Sequence, residues 1–176
     1  HLERIRPSTA ILFAAIGFSV FLSLFSGSVT PAYAEDTRML SFGNGPVKVR
    51  IYTDYFCPPC RSMEQELEPI VIDLVRRRIA AVTFVDTPVH RETILYAKCF
   101  LGMVTGRRDI SQILCARSAL FKAAEKNIRS LPGLEAFLGE RGLKCRYVDS
   151  SQAFETFRKH LRDDRIDSTP SCVVEG

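Results

Sequence analysis

A run of alternating apolar and polar residues that ends four positions short of a Cys-Pro-Pro-Cys, and then turns at once into a helical pattern, narrows the fold of this chain more than any other feature. Over 47–53, Val47, Val49 and Ile51 alternate with Lys48, Arg50 and Tyr52, a period of two that predicts a strand. After Cys60 the apolar residues Met63, Leu67, Ile70, Val71 and Leu74 fall at helical spacing, with Glu64, Glu66 and Glu68 filling much of the other face. Pro59 suits a first helical turn, where its missing N–H is not needed, whereas Pro69 inside the pattern predicts a kink. A second strand is expected over 80–85, closed by Asp86-Thr87-Pro88, so that the motif sits in a strand, helix, strand unit with a right-handed crossover.

Downstream the pattern is helical. Segments at 92–104, 110–126, 132–139 and 152–161 are separated by Gly, Pro and Asp signals, and Ser150 or Ser151 is placed to cap the last of them. Asp167-Ser168-Thr169-Pro170 then leads into a short apolar strand over 171–174. Upstream, 35–46 is polar, carries Gly43, Gly45 and Pro46, and reads as a loose lead-in. No internal repeat or low-complexity tract is visible.

The first 34 residues have the layout of an export signal: Arg4 and Arg6, then an almost wholly apolar run over 10–25, then Ala32-Tyr33-Ala34 before Glu35 and Asp36. Cleavage after Ala34 is the expectation; an uncleaved segment would instead be a membrane anchor and attach the chain to the bilayer. In either case the remainder, 35–176, lies outside the cytoplasm, in the periplasm or its equivalent, and is one ordinary domain in size. Of the formal charge of +4, the leader holds Arg4 and Arg6 against Glu3. The balance is scattered rather than gathered in a basic block, which argues against a nucleic-acid partner.

All six cysteines fall after the leader. In an oxidising compartment each must be paired, catalytic or buried. A thiolate, not a thiol, attacks a disulfide, so a redox cysteine needs surroundings that favour negative charge. Cys57 stands where the strand gives way to the helix, next to backbone N–H groups and the positive end of the helix dipole. This makes Cys57 the exposed nucleophile and Cys60, one turn on, the resolving thiol. A structural zinc site needs a second close pair, and none is present, so neither a metal nor another cofactor is expected. Two other classes remain open: a copper(I) carrier using the same two sulfurs, and a binding module in which the pair is a permanent staple.

The stretch 49–60, Val-Arg-Ile-Tyr-Thr-Asp-Tyr-Phe-Cys-Pro-Pro-Cys, resembles the active-site segment of DsbA-like thioredoxin-fold thiol-disulfide oxidoreductases, and Thr169-Pro170 resembles that family's cis-proline loop. The helical stretch between them, about 90–148, is similar to the all-helical insertion of the same branch. The resemblance implies an α/β thioredoxin-like fold in which a further strand and helix follow Val174, so those two elements count as missing here. It also implies that Pro170 is cis and faces Cys57, and that Thr169 offers its backbone to a substrate segment docking as an added strand. Tyr55 and Phe56 are then candidates to flank the groove, with Pro58, Pro59 and Asp54 supporting the pair. The implied partners are protein thiols or disulfides together with a membrane or periplasmic redox partner. Relatives often bury an acid six residues before the first cysteine; Ile51 holds that place here, and Asp54, expected to be more exposed, is the nearest acid. Thr before Pro170 leans toward reduction.

Cys99, Cys115 and Cys145 allow three pairings among themselves, and Cys172 reads as a core residue of the last strand. His90 and His160 read as surface residues, and Arg76-Arg77-Arg78 as cations at a helix C-terminus.

Overall fold

A computed structural model describes residues 41–107 and 109–176; the leader expected over 1–34 lies outside the described residues. The described chain forms β1 (Ser41–Phe42), β2 (Val47–Thr53), α1 (Pro58–Arg76), β3 (Ala80–Asp86), α2 (Thr93–Val104), α3 (Ile110–Glu125), α4 (Leu131–Gly139), α5 (Ser151–Asp163) and β4 (Ser171–Glu175). One sheet in the order β1-β3-β2-β4 carries the fold. β2 runs parallel to β3, with Val47 opposite Ala80 and Thr53 opposite Asp86, and antiparallel to β4, with Ile51 opposite Cys172. β1 pairs antiparallel with β3 and was not foreseen, because two residues are too few to display an alternation.

Adjacent β2 residues serve opposite faces of the sheet, as the pleat requires. Val49 and Ile51 join a large core with Phe42, Phe84, Phe100 and Leu120, whereas Tyr52 joins a smaller one with Val85, Leu101 and Phe157 of α5. The end of α5 is tied to the sheet by Arg50, which donates to Asp164 from Nε at 2.6 Å and from Nη2 at 2.8 Å and also pairs with Glu175, while the Tyr52 hydroxyl donates to Asp164.

Helix α1 runs as a single element from Pro58 to Arg76 with Pro69 inside it. The assignment of Glu64 to the solvent face needs correction: Glu64 is buried with Cys60 and Val71 because a buried cation awaits it. Helices α2, α3 and α4 occupy the stretch read as a helical insertion. Ser130 caps α4 by accepting from the Gly133 N–H at 3.3 Å, and Asp109 caps α3 by accepting from Gln112 at 2.9 Å.

The open question of pairing resolves to a Cys99–Cys145 disulfide, which fastens the irregular segment after α4 to α2 across 46 residues of sequence. Gly102, one turn along α2, lets that segment lie against the helix, since a Cβ there would stand 2.0 Å from the Arg146 carbonyl oxygen. Cys115 is exposed. So is Cys172, against the core role expected of it: it lies opposite Ile51 on β4, the strand at the edge of the sheet among the described residues.

Candidate functional site

β2 and β3 end side by side, and the chain leaves β2 through a turn closed by Asp54. Its Oδ1 accepts from the Phe56 N–H at 2.8 Å, and its carbonyl oxygen accepts from the Cys57 N–H at 3.2 Å. From the loop after β3, the His90 N–H donates to Asp54 Oδ2 at 2.8 Å, and His90 Nδ1 lies 3.0 Å from Oδ1. Asp54 is therefore wholly buried, not exposed as expected. A carboxylate that holds three polar partners withdraws from solvent without losing hydrogen bonds. His90 keeps 44% of its side chain exposed, so it is a surface residue that also clamps the turn before Cys57.

Cys57 is the N-cap of α1, and Pro58 and Pro59 are the first two helical residues. Proline has no N–H. Of the first three helical positions only Cys60 retains a donor, so the cluster of N–H groups expected around the Cys57 sulfur is mostly absent. Both cysteines are free thiols. Cys57 is 8% exposed and Cys60 0%, which corrects the picture of a prominent Cys57 while keeping it as the outer of the two. The cover comes from the loop before β4, where the Thr169–Pro170 bond is cis and the Thr169 carbonyl oxygen accepts from Cys57 Sγ at 3.5 Å. Burial pushes the Cys60 thiol up to about 12, and neighbouring Cys57 adds to this, while Thr169 and the backbone at Asp54 act in the opposite sense.

Tyr55 does not flank a groove. It is fully buried, with ring centroids 5.4 Å from Tyr96 and 4.9 Å from Phe121, because the turn at Asp54 directs it inward between α2 and α3. Phe56 is half-buried, edge-on to Tyr96 at 5.0 Å, with the Arg129 guanidinium 5.5 Å from its ring. Pro58 and Pro59 are exposed, and Thr169 and Pro170 half-buried. A cleft of about 610 Å³ opens from Pro58 between α1 and α3.

Beneath the pair lies a cluster that the sequence did not announce. Arg117 of α3, with no exposed surface, donates to Glu64 from Nε at 2.8 Å and from Nη2 at 3.0 Å, and to Thr53 Oγ1 at 2.9 Å. Its Nη1 lies 3.6 Å from Asp86 Oδ1, and its guanidinium carbon stands 4.1 Å over the Phe84 ring. Burial opposes the Arg117 charge, but Glu64, Tyr55 and Asp86 more than offset it and hold the group above its ordinary range. Burial raises the Asp86 carboxyl to about 6 even though Arg117 pulls it down. The signal was present in retrospect. Arg117 falls four residues after Ile113 and four before Phe121, in the apolar stripe of α3, and Glu64 falls four after Cys60.

The sequence matches no family model and no curated protein. Solved structures do match. A proposed protein-disulfide isomerase from Pseudomonas syringae is similar at 16% identity, over 80% of this chain and 88% of that one, with a TM-score of 0.63. Wolbachia pipientis alpha-DsbA1 is similar at 13% identity, over 77% and 73%, with a TM-score of 0.60. A periplasmic thioredoxin-like protein from Salmonella enterica serovar Typhimurium is similar at 18%, over 77% and 76%, with a TM-score of 0.57. The fold is that of the DsbA-like thioredoxin proteins.

Proposed function

We propose that this DsbA-like fold serves a thiol-disulfide oxidoreductase that works outside the cytoplasm and exchanges disulfides with proteins through Cys57 and Cys60. The observation that supports it most is the stacking of the pair under the cis-proline loop: Cys57 Sγ is 3.5 Å from the Thr169 carbonyl oxygen, and Cys60 lies buried behind it. An extended substrate segment aligned on the Thr169 backbone would bring its disulfide to Cys57 and not to Cys60. The export layout of 1–34 and the periplasmic protein among the structural neighbours support the location.

In the reductive direction the Cys57 thiolate attacks a substrate disulfide. A Cys57–substrate bond forms, the substrate bond breaks, and one substrate sulfur leaves as thiolate. Cys60 then loses its proton and attacks Cys57; the Cys57–Cys60 bond forms and the second substrate sulfur leaves. Two electrons have moved from the pair to the substrate, and a membrane or periplasmic dithiol partner restores them.

Two features favour this direction. Thr169 precedes the cis proline, and Pro58 and Pro59 withdraw two N–H donors from the Cys57 sulfur. A strongly oxidising pair owes its potential to a stabilised thiolate, and this site offers the thiolate few donors. The test is a Cys60→Ala variant exposed to extracytoplasmic protein extract. Mixed disulfides should accumulate on Cys57; accumulation on a Cys57→Ala variant instead would reverse the two roles.

A further inference from the structure

The loop that covers Cys57 begins where α5 ends and finishes where β4 starts, and one side chain of β2 holds both of those elements. Arg50 donates to Asp164, the C-cap of α5, from Nε at 2.6 Å and from Nη2 at 2.8 Å. It donates to Glu175 of β4 from Nη1 at 3.1 Å and also from Nη2. The Tyr52 hydroxyl, on the same face of β2, donates to Asp164 Oδ2. Arg50 and Asp164 are largely sealed, with 13% and 8% of their side chains exposed. Burial pushes the Asp164 carboxyl up, but the Arg50 and Tyr52 hydrogen bonds outweigh it and keep the group below its ordinary value.

This contact acts at a distance from the sulfurs. Arg50 and Tyr52 serve the sheet face that α5 covers, whereas both cysteines belong to the core on the other face. Phe157, Leu161 and Ile166 also seat the end of α5 by apolar packing in the smaller core. Such packing decides which face is covered but is non-directional, whereas a guanidinium fork on a carboxylate fixes both distance and angle. Beyond Asp164 the loop is braced at both ends. The Ile166 N–H donates to the Leu161 carbonyl oxygen at 3.0 Å, and Ser171 Oγ donates to the Ser168 carbonyl oxygen at 2.8 Å. A shift of Asp164 is therefore carried to Thr169, whose carbonyl oxygen lies 3.5 Å from Cys57 Sγ. Glu175 has a lesser part, because the ladder between β2 and β4 already fixes its strand.

Resting on the oxidoreductase reading, we propose that Arg50 and Asp164 are positioning residues for protein substrates: their ion pair holds the Thr169 backbone at the height over Cys57 where an extended segment can align. Neither residue touches the substrate. Arg50 stands seven residues before Cys57 on the strand that delivers it, and Asp164 stands five before Thr169. One guanidinium thus ties the nucleophile's strand to the substrate's docking backbone. A small disulfide with no peptide backbone gains nothing from that alignment, so the pair determines how far proteins are favoured over small molecules.

The test mixes the reduced full-length protein, in single turnover, with either of two disulfides: a linear peptide dimer joined by one disulfide, or 2-hydroxyethyl disulfide. Asp164→Ala should raise the half-saturating peptide concentration about tenfold at an unchanged limiting rate, and leave the rate with 2-hydroxyethyl disulfide within about twofold of the wild type. Arg50→Lys keeps a cation between the two acids but loses the fork, and should raise the half-saturating peptide concentration about threefold. Glu175→Gln should match the wild type on both substrates. A purely structural disturbance would slow both substrates by one factor; that result, or an Asp164→Ala protein unchanged toward the peptide, overturns the inference. Should Asp164→Ala not fold, an Arg50→Lys protein that treats the peptide as the wild type does overturns it as well. A wild type that reacts with neither disulfide would instead defeat the oxidoreductase reading itself.

Discussion

The molecule holds two pairs of cysteines that differ in almost every respect. Cys57 and Cys60 are neighbours on one turn of α1, free, covered by the Thr169–Pro170 loop and underlain by charge. Cys99 and Cys145 are bonded across 46 residues, and one joins a helix to a segment with no regular structure. The first pair closes a ring so small that oxidation removes little freedom from the unfolded chain, while the second closes a long loop and removes a great deal. A disulfide that changes state with each turnover has to be of the first kind, and one that preserves the fold is best of the second.

The largest expected contrast follows directly. Cys57→Ser should reduce disulfide exchange by about a thousandfold or more while leaving stability within about 1 kcal/mol. The double variant Cys99→Ser/Cys145→Ser should exchange normally and lose about 4 kcal/mol of stability, the chain-entropy value for a loop of this length. Insulin reduction and urea unfolding, run on both proteins, measure the two halves. If the double variant also stopped exchanging, the division of labour between the pairs would be wrong.

Arg117→Ala should cost about 3–5 kcal/mol, because it leaves Glu64 and Asp86 buried without a counter-charge. Urea unfolding checks this. Loss of less than about 1 kcal/mol would mean that the cluster contributes little to the fold.

Asp86 gives a smaller and pH-dependent effect. Its carboxyl rises from 3.8 to about 6, so the folded chain binds that proton more tightly than the unfolded chain does. The resulting stability is complete below the unfolded value and is lost as pH rises through about 6, a fall of about 3 kcal/mol from this group. Asp86→Asn should flatten that part of the stability profile between pH 4 and pH 7.5; an unchanged profile would place the titration elsewhere.

The smallest effect tests the double proline. Pro59→Ala restores an N–H at the second helical position beside Cys57 and should make the pair more oxidising by about 30 mV, tenfold in its equilibrium constant. A shift toward more reducing values would show that donor count does not control this site.

How much of this was legible in the sequence depends on the range of the interactions involved. The strand, turn and helix around Cys57 are local: a period of two, then a helical period, with prolines where a first turn tolerates them. The cis-proline loop was legible only through resemblance. Asp54 was misjudged because an acid near a turn looks solvent-exposed unless its partners are known, and one partner, His90, comes from 36 residues away. Tyr55 was misplaced for a related reason, since alternation stops at the end of β2 and the turn alone decides which aromatic points inward. Arg117 and Glu64 were missed because a charge in an apolar stripe gains its meaning from a partner on another helix, 53 residues distant in sequence. That information is tertiary.

The most direct measurement is equilibration of Cys57 and Cys60 with glutathione and dithiothreitol buffers, followed by alkylation and mass spectrometry of the 57–60 peptide. A reversible two-electron transition, nearer to about −270 mV than to about −120 mV, is the predicted result. A pair that never equilibrates, or whose disulfide persists below about −300 mV, would contradict the exchange role and make Cys57 and Cys60 a second structural staple.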